Sequence, residues 1–442
     1  MSASELLVVG VLPRISADRF AAFLREVGSP AAAEAHDAWS AVATEGVDPL
    51  FALAVFWHES RCGTTGAVAQ YDLRNPGATR SSRTGIGDPV IIPGRGQFWR
   101  YPSWVHGFRD LARRLVDPGF VYRQRGAWSV EQIIPLWAPA SDGNNPTSYV
   151  AAVRSFMAKH GSEPLGDVPL RIAWIPAGAR NRPGYPMRPA WVTIHETANE
   201  APGAGAEAHR RFVHAGGGPE GVSFHFVVDD RVVIQLLPTL ENGWHAGDGA
   251  SGQGNRASVG IELCVNTGSD WERTQEHGAR LVATLCRAFG LPVERVVPHQ
   301  RWSGKQCPRR ILARGFDSFR NRVRIALGVD VEKPAIVQLG PYGRHVGYGF
   351  LEFWRQMERV HATLPLRVLG WPRTEEFSHD NTTYQVFERA VLKYDAREQG
   401  EWRVHVPLLE EALRVVDFAR ARGLLLRAQN KSAGTRVGYR RR

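Results

Sequence analysis

Two histidines and a cysteine in the middle of the chain have the residue types and the spacing of a metal site. His195 ends the apolar run WVTIH, and His299 ends a second such run, RVVPH. Cys307 follows eight residues later in the loop WSGKQCP. Two imidazoles and a thiolate, with a fourth position left for water, are typical ligands of a catalytic zinc ion. The sequence therefore predicts one zinc ion bound by these three side chains.

The neighbouring histidines and cysteines have to be separated from this set. Seven of the fifteen histidines lie between positions 195 and 299, so position and context must distinguish ligands from packing residues. We predict that His225 and His245 either line the substrate site or have a structural role. The four cysteines contain no CxxC pair, so a disulfide scaffold is not expected. Packing or surface roles are expected for the others, namely His209, His214, His277, Cys264 and Cys286.

A carboxylate in the first third of the chain also has a chemical interpretation. Asp48 and Pro49 mark a helix start, because Asp caps helices and Pro fits the first helical position. The hydrophobic helix that follows ends near Glu59, in the run FWHES. One possibility is that Glu59 caps a neighbouring element. The other is a general acid with a raised pKa at the floor of a sugar-binding cleft.

These chemical groups need elements that hold them, and the residue patterns divide the chain into three segments. Residues 1–162 show helical spacing and are predicted to be mainly α. Residues 163–328 alternate strands with helices, which indicates an α/β domain with a mixed sheet. Residues 329–442 are expected to form a small α+β module. In the middle segment, strands are predicted at 191–194, 223–228, 232–236 and 259–265, and helices at 206–213 and 271–289.

The charge of the chain narrows the class of partner. A formal net charge of +11 favours a polyanionic partner. An anionic membrane surface and an anionic cell wall both fit, whereas no nucleic-acid fold signature is present, so nucleic acid is not expected. The last 25 residues hold eight Lys and Arg and no acid. This basic tail begins within a predicted amphipathic helix at 410–426, and its end is expected to be disordered. It is expected to attract anionic wall polymers or lipids, and a solvated end that binds neither is the alternative.

The beginning of the chain bears on where the protein acts. It shows no signal-peptide pattern, and no stretch approaches the roughly 20 apolar residues that span a bilayer. We therefore expect synthesis in the cytoplasm and action elsewhere only after release. A monomer is expected.

The middle segment contains five blocks in this order: WVTIHETAN, VSFHFVVDD, WHAGDG, SVGIELCVN and VVPHQRWSGKQCP. Together they resemble the N-acetylmuramoyl-L-alanine amidase family of phage lysins and peptidoglycan recognition proteins. The resemblance implies that His195, His299 and Cys307 bind zinc, and it implies catalytic roles for Glu262 and Lys305. Glu262 is expected to transfer a proton to the leaving amine, and Lys305 to stabilise the oxyanion.

One departure from the family pattern affects the proton transfer. Some members have a tyrosine where this chain has Phe224. A phenyl ring cannot donate a hydrogen bond. Glu262 is therefore expected to carry more of the proton transfer, as in the endolysin branch of the family.

The first segment contains, besides the Glu59 motif, the runs NPGA, QFWRYPSWVHGFRDL and PTSYVAAV. With these motifs it resembles the glucosaminidase family of peptidoglycan hydrolases. The resemblance implies a lysozyme-like domain in which Glu59 protonates a glycosidic oxygen. A tyrosine is frequent in the family near the position of Trp137. A lytic transglycosylase, which also uses a single glutamate, remains an alternative. Expected sugar-lining residues are Trp99, Tyr101 and Trp104, and candidate second carboxylates are Asp72, Asp88 and Asp142.

The third segment contains the runs GFLEFWRQ, LPLRVLGWPRTEEF and YQVFERAVLKYDA. With these runs it resembles an aromatic-rich module that follows enzymatic domains in some bacterial extracellular proteins. A wall-binding role is expected, because a tether raises the local concentration of a hydrolase, and a module that only packs is the alternative.

Together the three segments predict a modular endolysin that acts on bacterial peptidoglycan from the host cytoplasm after release. It would contain a glucosaminidase-like domain (1–162), a zinc amidase domain (163–328) and a wall-binding module with the basic tail (329–442). A host autolysin with the same activities is the first alternative. A recognition protein that only binds is less consistent, since such proteins typically lose the ligand that Cys307 provides.

Overall fold

Residues 5–328, 337–360, 363–380, 382–394 and 404–425 are described by the computed structural model of the chain. Two compact units are present. The first comprises Met1–Arg309 and Phe319–Gly328, and the second comprises Arg310–Ser318 and Val329–Arg442. The predicted boundary between residues 162 and 163 lies inside the first unit and stays a prediction.

The first part of unit 1 is mainly helical, with one β-hairpin. Its third helix starts where the sequence predicted, because the Asp48 carboxylate accepts a hydrogen bond from the Leu50 amide at 3.0 Å and Pro49 occupies the first turn. Every residue of Pro49–Phe56 is buried, so this helix forms the centre of the first part. The helices are α1 Ala17–Glu26, α2 Ala35–Thr44, α3 Pro49–Ser60, α4 Gly66–Gln70, α5 Trp104–Val116, α6 Val121–Gln124, α7 Val130–Trp137 and α8 Pro146–His160, and the hairpin strands are β1 Asp88–Ile92 and β2 Gly96–Arg100.

The second part of unit 1 is built on a six-stranded mixed sheet, as predicted. Its strand order is β3-β6-β5-β7-β4-β8, and only the β5–β6 pair is antiparallel. The strands are β3 Leu170–Ile172, β4 Trp191–Glu196, β5 Phe226–Val228, β6 Val233–Gln235, β7 Ser258–Leu263 and β8 Val296–Pro298.

Helices cover this sheet and confirm the two helix predictions of the middle segment. The long helix begins after Asp270, whose side chain accepts a hydrogen bond from the Arg273 amide at 3.0 Å, and it ends at Gly290 in a left-handed conformation (φ 63°). Glycine adopts that conformation without the steric cost of a Cβ. The helices are α9 Ala206–His214, α10 Gln253–Ala257, α11 Trp271–Phe289, α12 Gln300–Ser303, α13 Arg309–Ala313 and α14 Asp317–Ala326.

Buried polar contacts join the two parts of unit 1. The Gln235 side-chain amide donates to the Gly10 carbonyl at 2.7 Å. Glu241 forms a two-point ion pair with Arg182 at 2.7 and 3.1 Å, and Arg123 of α6 lies 3.9 Å from the same carboxylate. All three charged side chains are at most 15% exposed. The two segments that the sequence treats as separate domains therefore share buried polar contacts.

Unit 2 contains a four-stranded antiparallel sheet with a helix on each face. Neighbouring residues of β13 point to opposite sides, as in any strand. Leu392 belongs to the core that includes Phe350 and Trp354 of α15, and Val391 belongs to the core that includes Val415 of α17. The elements are β9 Val337–Leu339, β10 Arg344–Val346, α15 Tyr348–Val360, α16 Leu364–Val368, β11 Phe377–His379, β12 Thr382–Val386, β13 Val391–Tyr394, β14 Val404–His405 and α17 Leu409–Ala421.

The predicted C-terminal helix is shorter than expected. It ends at Ala421, and the part of the basic tail from residue 426 onward lies outside the described residues. Among the residues that the structure describes, no helix combines the length and the apolar character that crossing a membrane requires.

Candidate active site

The metal-ligand candidates meet at the carboxyl ends of three neighbouring parallel strands. His195 on β4 is paired in register with Glu262 on β7. On the other side of β4, Ile194 is paired with Pro298, the last residue of β8. His299 follows Pro298 and therefore lies beside His195. The ligand atoms of His195, His299 and Cys307 all lie within 4.8 Å of one another, and all three residues are buried. The structure thus brings together the three residues that the sequence selected.

Backbone carbonyls determine which ring nitrogens carry protons at this site. His299 Nε2 lies 2.9 Å from the Ala246 carbonyl, and His245 Nε2 lies 3.2 Å from the Ser258 carbonyl. A carbonyl oxygen only accepts hydrogen bonds, so both Nε2 atoms must donate. His245 Nδ1 is then an acceptor, and His195 Nε2 donates to it at 3.1 Å.

These assignments leave two unprotonated nitrogens facing each other. Burial, the largest cause in each case, lowers the pKa of His195, His299 and His245, the last to about 3, so all three rings are neutral. The Nδ1 atoms of His195 and His299 consequently carry lone pairs, and they are 3.0 Å apart. Two lone pairs at that distance repel unless a cation lies between them. The donor set and its protonation therefore fit a bound metal ion.

Cys307 completes this donor set. The Glu196 amide points to its Sγ at 3.5 Å. Burial, the largest cause, and the nearby Glu262 together raise the pKa of the Cys307 thiol to about 12, while the hydrogen bond from the Glu196 amide and the charge of Lys305 act in the opposite direction. A thiol in these surroundings becomes a thiolate only when a cation binds it.

Glu262 and Lys305 lie beside the ligands in chemically distinct positions. Glu262 Oε1 is 3.9 Å from His195 Nδ1, and Glu262 Oε2 is buried without a hydrogen-bond partner in the described part of the chain. Burial raises the pKa of Glu262 to about 8, Lys305 opposes this rise, and Glu196 adds to it. Lys305 itself is exposed. A raised pKa makes the ionised form of Glu262 a stronger base, and its unpartnered oxygen is then suited to accepting a proton.

His225, His245 and Phe224 surround the predicted metal ligands and have different roles. His225 is fully buried, donates to the Glu241 carbonyl at 2.8 Å and accepts from the Gly260 amide at 3.0 Å. Both of its nitrogens are occupied, which suits a structural role and not substrate contact. His245 contacts a ligand directly, as described above, so it positions His195. Phe224 is buried in an apolar cluster.

The remaining histidines and cysteines of this segment agree with packing roles. His277 is buried and hydrogen-bonds the Asp229 carbonyl at 2.9 Å. Cys264 and Cys286 are core residues, and all four cysteines are free thiols. His209 and His214 are partly buried on α9.

Glu59 forms a second, independent cluster in the first part of unit 1. Its Oε1 accepts hydrogen bonds from Tyr149 Oη at 2.7 Å and from Trp137 Nε1 at 3.2 Å. Burial raises the pKa of Glu59, and the two hydrogen bonds act in the opposite direction. His58 stacks on Tyr149 with ring centroids 3.6 Å apart. Tyr149 was not among the predicted site residues, although it lies in the run PTSYVAAV that carried part of the resemblance.

The described hydrogen bonds of Glu59 involve none of the other predicted glycan-site residues. Tyr101 and Trp104 are only 1% and 4% exposed, so their rings pack inside the domain, and neither is a surface on which a sugar can stack. Trp99 is partly exposed and donates from its indole to the Ile86 carbonyl at 2.7 Å. The described contacts join none of the three candidate carboxylates to Glu59, and all three are exposed: Asp72, Asp88 and Asp142.

Comparison with known proteins identifies the segment that carries the three ligands. Residues 185–310 match the family model described as N-acetylmuramoyl-L-alanine amidase. This match contains His195, Glu262, His299, Lys305 and Cys307, and it covers less than a third of the chain.

Individual relatives agree with the family match. The chain is 47% identical over 156 residues to the N-acetylmuramoyl-L-alanine amidase CwlH of Bacillus subtilis, covering 35% of this chain and 61% of that protein. It is 49% identical over 148 residues to XlyA of the same organism, covering 33% and 48%. The solved catalytic domain of XlyA is 46% identical with a TM-score of 0.34, covering 35% of this chain and 99% of that one. The matched part thus spans about half to three-fifths of these two curated relatives.

Proposed function

We propose that residues 163–328 form a zinc-dependent N-acetylmuramoyl-L-alanine amidase that acts on bacterial peptidoglycan. The observation that carries this proposal is the 3.0 Å approach of two unprotonated imidazole nitrogens beside the Cys307 thiol. The family match and the curated relatives support the same activity. The cut bond is the amide between N-acetylmuramic acid and L-alanine.

The residues around the ligands divide the work of amide hydrolysis. When bound, a zinc ion polarises the scissile carbonyl and lowers the pKa of water. Glu262 receives a proton from the attacking water on its unpartnered Oε2 and delivers this proton to the leaving amine. Lys305, which is exposed and near the ligands, stabilises the negative charge of the oxyanion. His245 fixes the tautomer of His195, so that Nδ1 of His195 keeps its lone pair for the metal.

Replacing the sulfur ligand tests the metal site. The purified full chain is expected to contain about one zinc ion, and Cys307→Ala is expected to lower the zinc content well below one and to remove amidase activity. Elemental analysis by mass spectrometry measures this. Cys286→Ala, which removes a buried thiol from α11, is the matched control and should keep its zinc. A zinc-free wild-type chain that remains active would contradict the proposal.

A second activity, cleavage of the glycan strand by Glu59, is supported by the Tyr149–Glu59–Trp137 cluster. Burial favours the neutral carboxyl group, which is the form that protonates a leaving oxygen. Glu59 Oε2 has no partner within the described residues and can deliver that proton. Whether water or the sugar's own hydroxyl completes the reaction distinguishes a hydrolase from a lytic transglycosylase.

Glu59→Gln is expected to abolish glycan cleavage and to leave the amidase products unchanged, because the amide side chain cannot donate the acidic proton. Mass spectrometry of digested peptidoglycan reports both cuts, and anhydro sugars would identify a transglycosylase. In the wild type, glycan cleavage should decline as the pH rises through the raised pKa of Glu59, since the protonated form is the active one. Glu26→Gln on α1, which changes an exposed glutamate of the same segment, is the control. Glycan products that persist in Glu59→Gln would contradict this role.

For the whole chain we propose an endolysin with two cutting activities and a wall-binding module at 329–442. A host autolysin is the alternative and differs in how the protein reaches the wall. The basic tail is proposed to bind anionic wall polymers or lipids, and deletion of residues 418–442 should then weaken wall binding most at low salt.

A further inference from the structure

A cavity in the first part of unit 1, with one residue added from the second part, is lined by four arginine side chains. Its volume is about 730 Å³, and it is open to solvent. Helices α2 and α5 form its walls, together with the turn at Arg83 and Thr84 and with Arg188 from the connection that precedes β4. Ten of the eleven lining residues belong to the first part of unit 1, and the second part contributes Arg188.

The charges of the lining favour an anion. Four arginines face two acidic residues, Asp37 and Glu45, which leaves a net charge of +2. The Glu45 carboxylate is already occupied, because it accepts from Arg113 at 2.9 Å and also from Arg188. These two ion pairs hold the guanidinium groups in place at the wall of the cavity.

One arginine of the lining has no partner of its own. Arg83 is bonded to Asp117 at 3.1 Å, whereas Arg109 on α5 makes no hydrogen bond or ion pair within the described residues. A guanidinium group presents paired N–H donors that match the oxygens of a phosphate. Arg109 is therefore the group most available to a ligand.

The same lining argues against two other classes of ligand, single-stranded nucleic acids and sugars bound by stacking. No aromatic ring is among the described residues that line the cavity. Single-stranded nucleic acids are bound by base stacking on aromatic side chains in addition to charge. Stacking on such rings was also the mode expected for sugars in the first segment. A flexible anion without rings fits the lining better than either.

We propose that this cavity binds a polyol phosphate chain, in which phosphate groups alternate with short alcohols. The volume falls within the range of ordinary ligand sites and accommodates more than a single phosphate. The choice of a wall polymer as the source rests on the proposed function, whereas the anion site itself rests on the lining alone. Occupation of the site would hold unit 1 at the wall independently of unit 2.

The test uses the full chain and a short oligomer of glycerol phosphate in a calorimetric titration at low salt. Because this oligomer contains no peptide amide and no glycosidic bond, its binding does not depend on either proposed activity. Arg109→Ala is expected to weaken binding about tenfold, the effect of losing one charge-assisted interaction. Arg109→Lys keeps the positive charge but loses the paired N–H donors of the guanidinium group. The affinity of this variant for the oligomer should therefore lie between the affinities of Arg109→Ala and the wild type.

Arg231→Ala removes an exposed arginine elsewhere in unit 1 and is the matched control, with an expected change below about twofold. Equal weakening by Arg109→Ala and Arg231→Ala would overturn the site, because bulk charge would then explain binding. Absence of binding to the wild type would also overturn it. An oligonucleotide of equal charge that binds as tightly would overturn the assignment to polyol phosphates, and inorganic phosphate alone should bind more weakly than the oligomer. Amidase activity and zinc content should be unchanged in Arg109→Ala.

Discussion

Glu262→Gln is expected to reduce amide hydrolysis about 10²- to 10⁴-fold, the usual contribution of a positioned general base and acid. Glutamine keeps the shape of the side chain but cannot accept and return a proton. Glu262 is not one of the three predicted ligands, so the zinc content and the free energy of unfolding should change little. The rate of release of stem peptides from peptidoglycan measures the effect.

The control for this experiment is Glu276→Gln on α11, an exposed glutamate of the same segment. It should retain full activity. If Glu262→Gln binds zinc and its rate stays within about tenfold of the wild-type rate, another group must carry the proton transfer. Loss of zinc in this variant would instead show that Glu262 supports the metal site.

The second large effect is expected for Glu241→Ala, which should lower the free energy of unfolding by about 3–5 kcal/mol. This substitution leaves the buried Arg182, and Arg123 beside it, without their carboxylate. An uncompensated buried charge is the reason for the size of the effect. Denaturant unfolding followed by tryptophan fluorescence measures it.

Glu26→Ala is the comparison for this stability prediction. Its ion pair with Arg19 is about half exposed on both sides, so the expected loss is below about 1 kcal/mol. Because Glu241 lies between the two parts of unit 1, both proposed activities should be lost together on heating. Separate loss of one activity would show that the two parts unfold independently.

The ligand set could be predicted from sequence because its signal is local. His195 and His299 each follow a short apolar strand, and Cys307 lies in the loop after the second one. Parallel strands bring their carboxyl ends to the same edge of a sheet, so strand prediction is enough to place these residues near one another. The alignment of His195 with Glu262 required the register itself.

The parts that could not be predicted depend on long-range packing. The backbone carbonyls of Ala246 and Ser258 fix the tautomers of His299 and His245. Every residue has a backbone carbonyl, so the sequence does not indicate which carbonyls will face these rings. Tyr149 reaches Glu59 across 90 positions of the chain, through the packing of α8 against α3. Tyr101 and Trp104 were expected to line a sugar site but are buried. The residue type alone does not indicate whether an aromatic side chain in a motif is exposed or buried.

The Glu241 contacts also restrict how this protein can change during evolution. The side chain of Glu241 lies near Arg123, which belongs to the first 162 residues. Its backbone carbonyl accepts a hydrogen bond from His225. His225 in turn accepts one from the amide of Gly260, two positions before Glu262. Recombination that replaced the first segment with an unrelated one would remove Arg123 and expose this buried polar junction. The two segments are therefore expected to be inherited as a pair, and chimeras should keep the boundary of unit 1 intact.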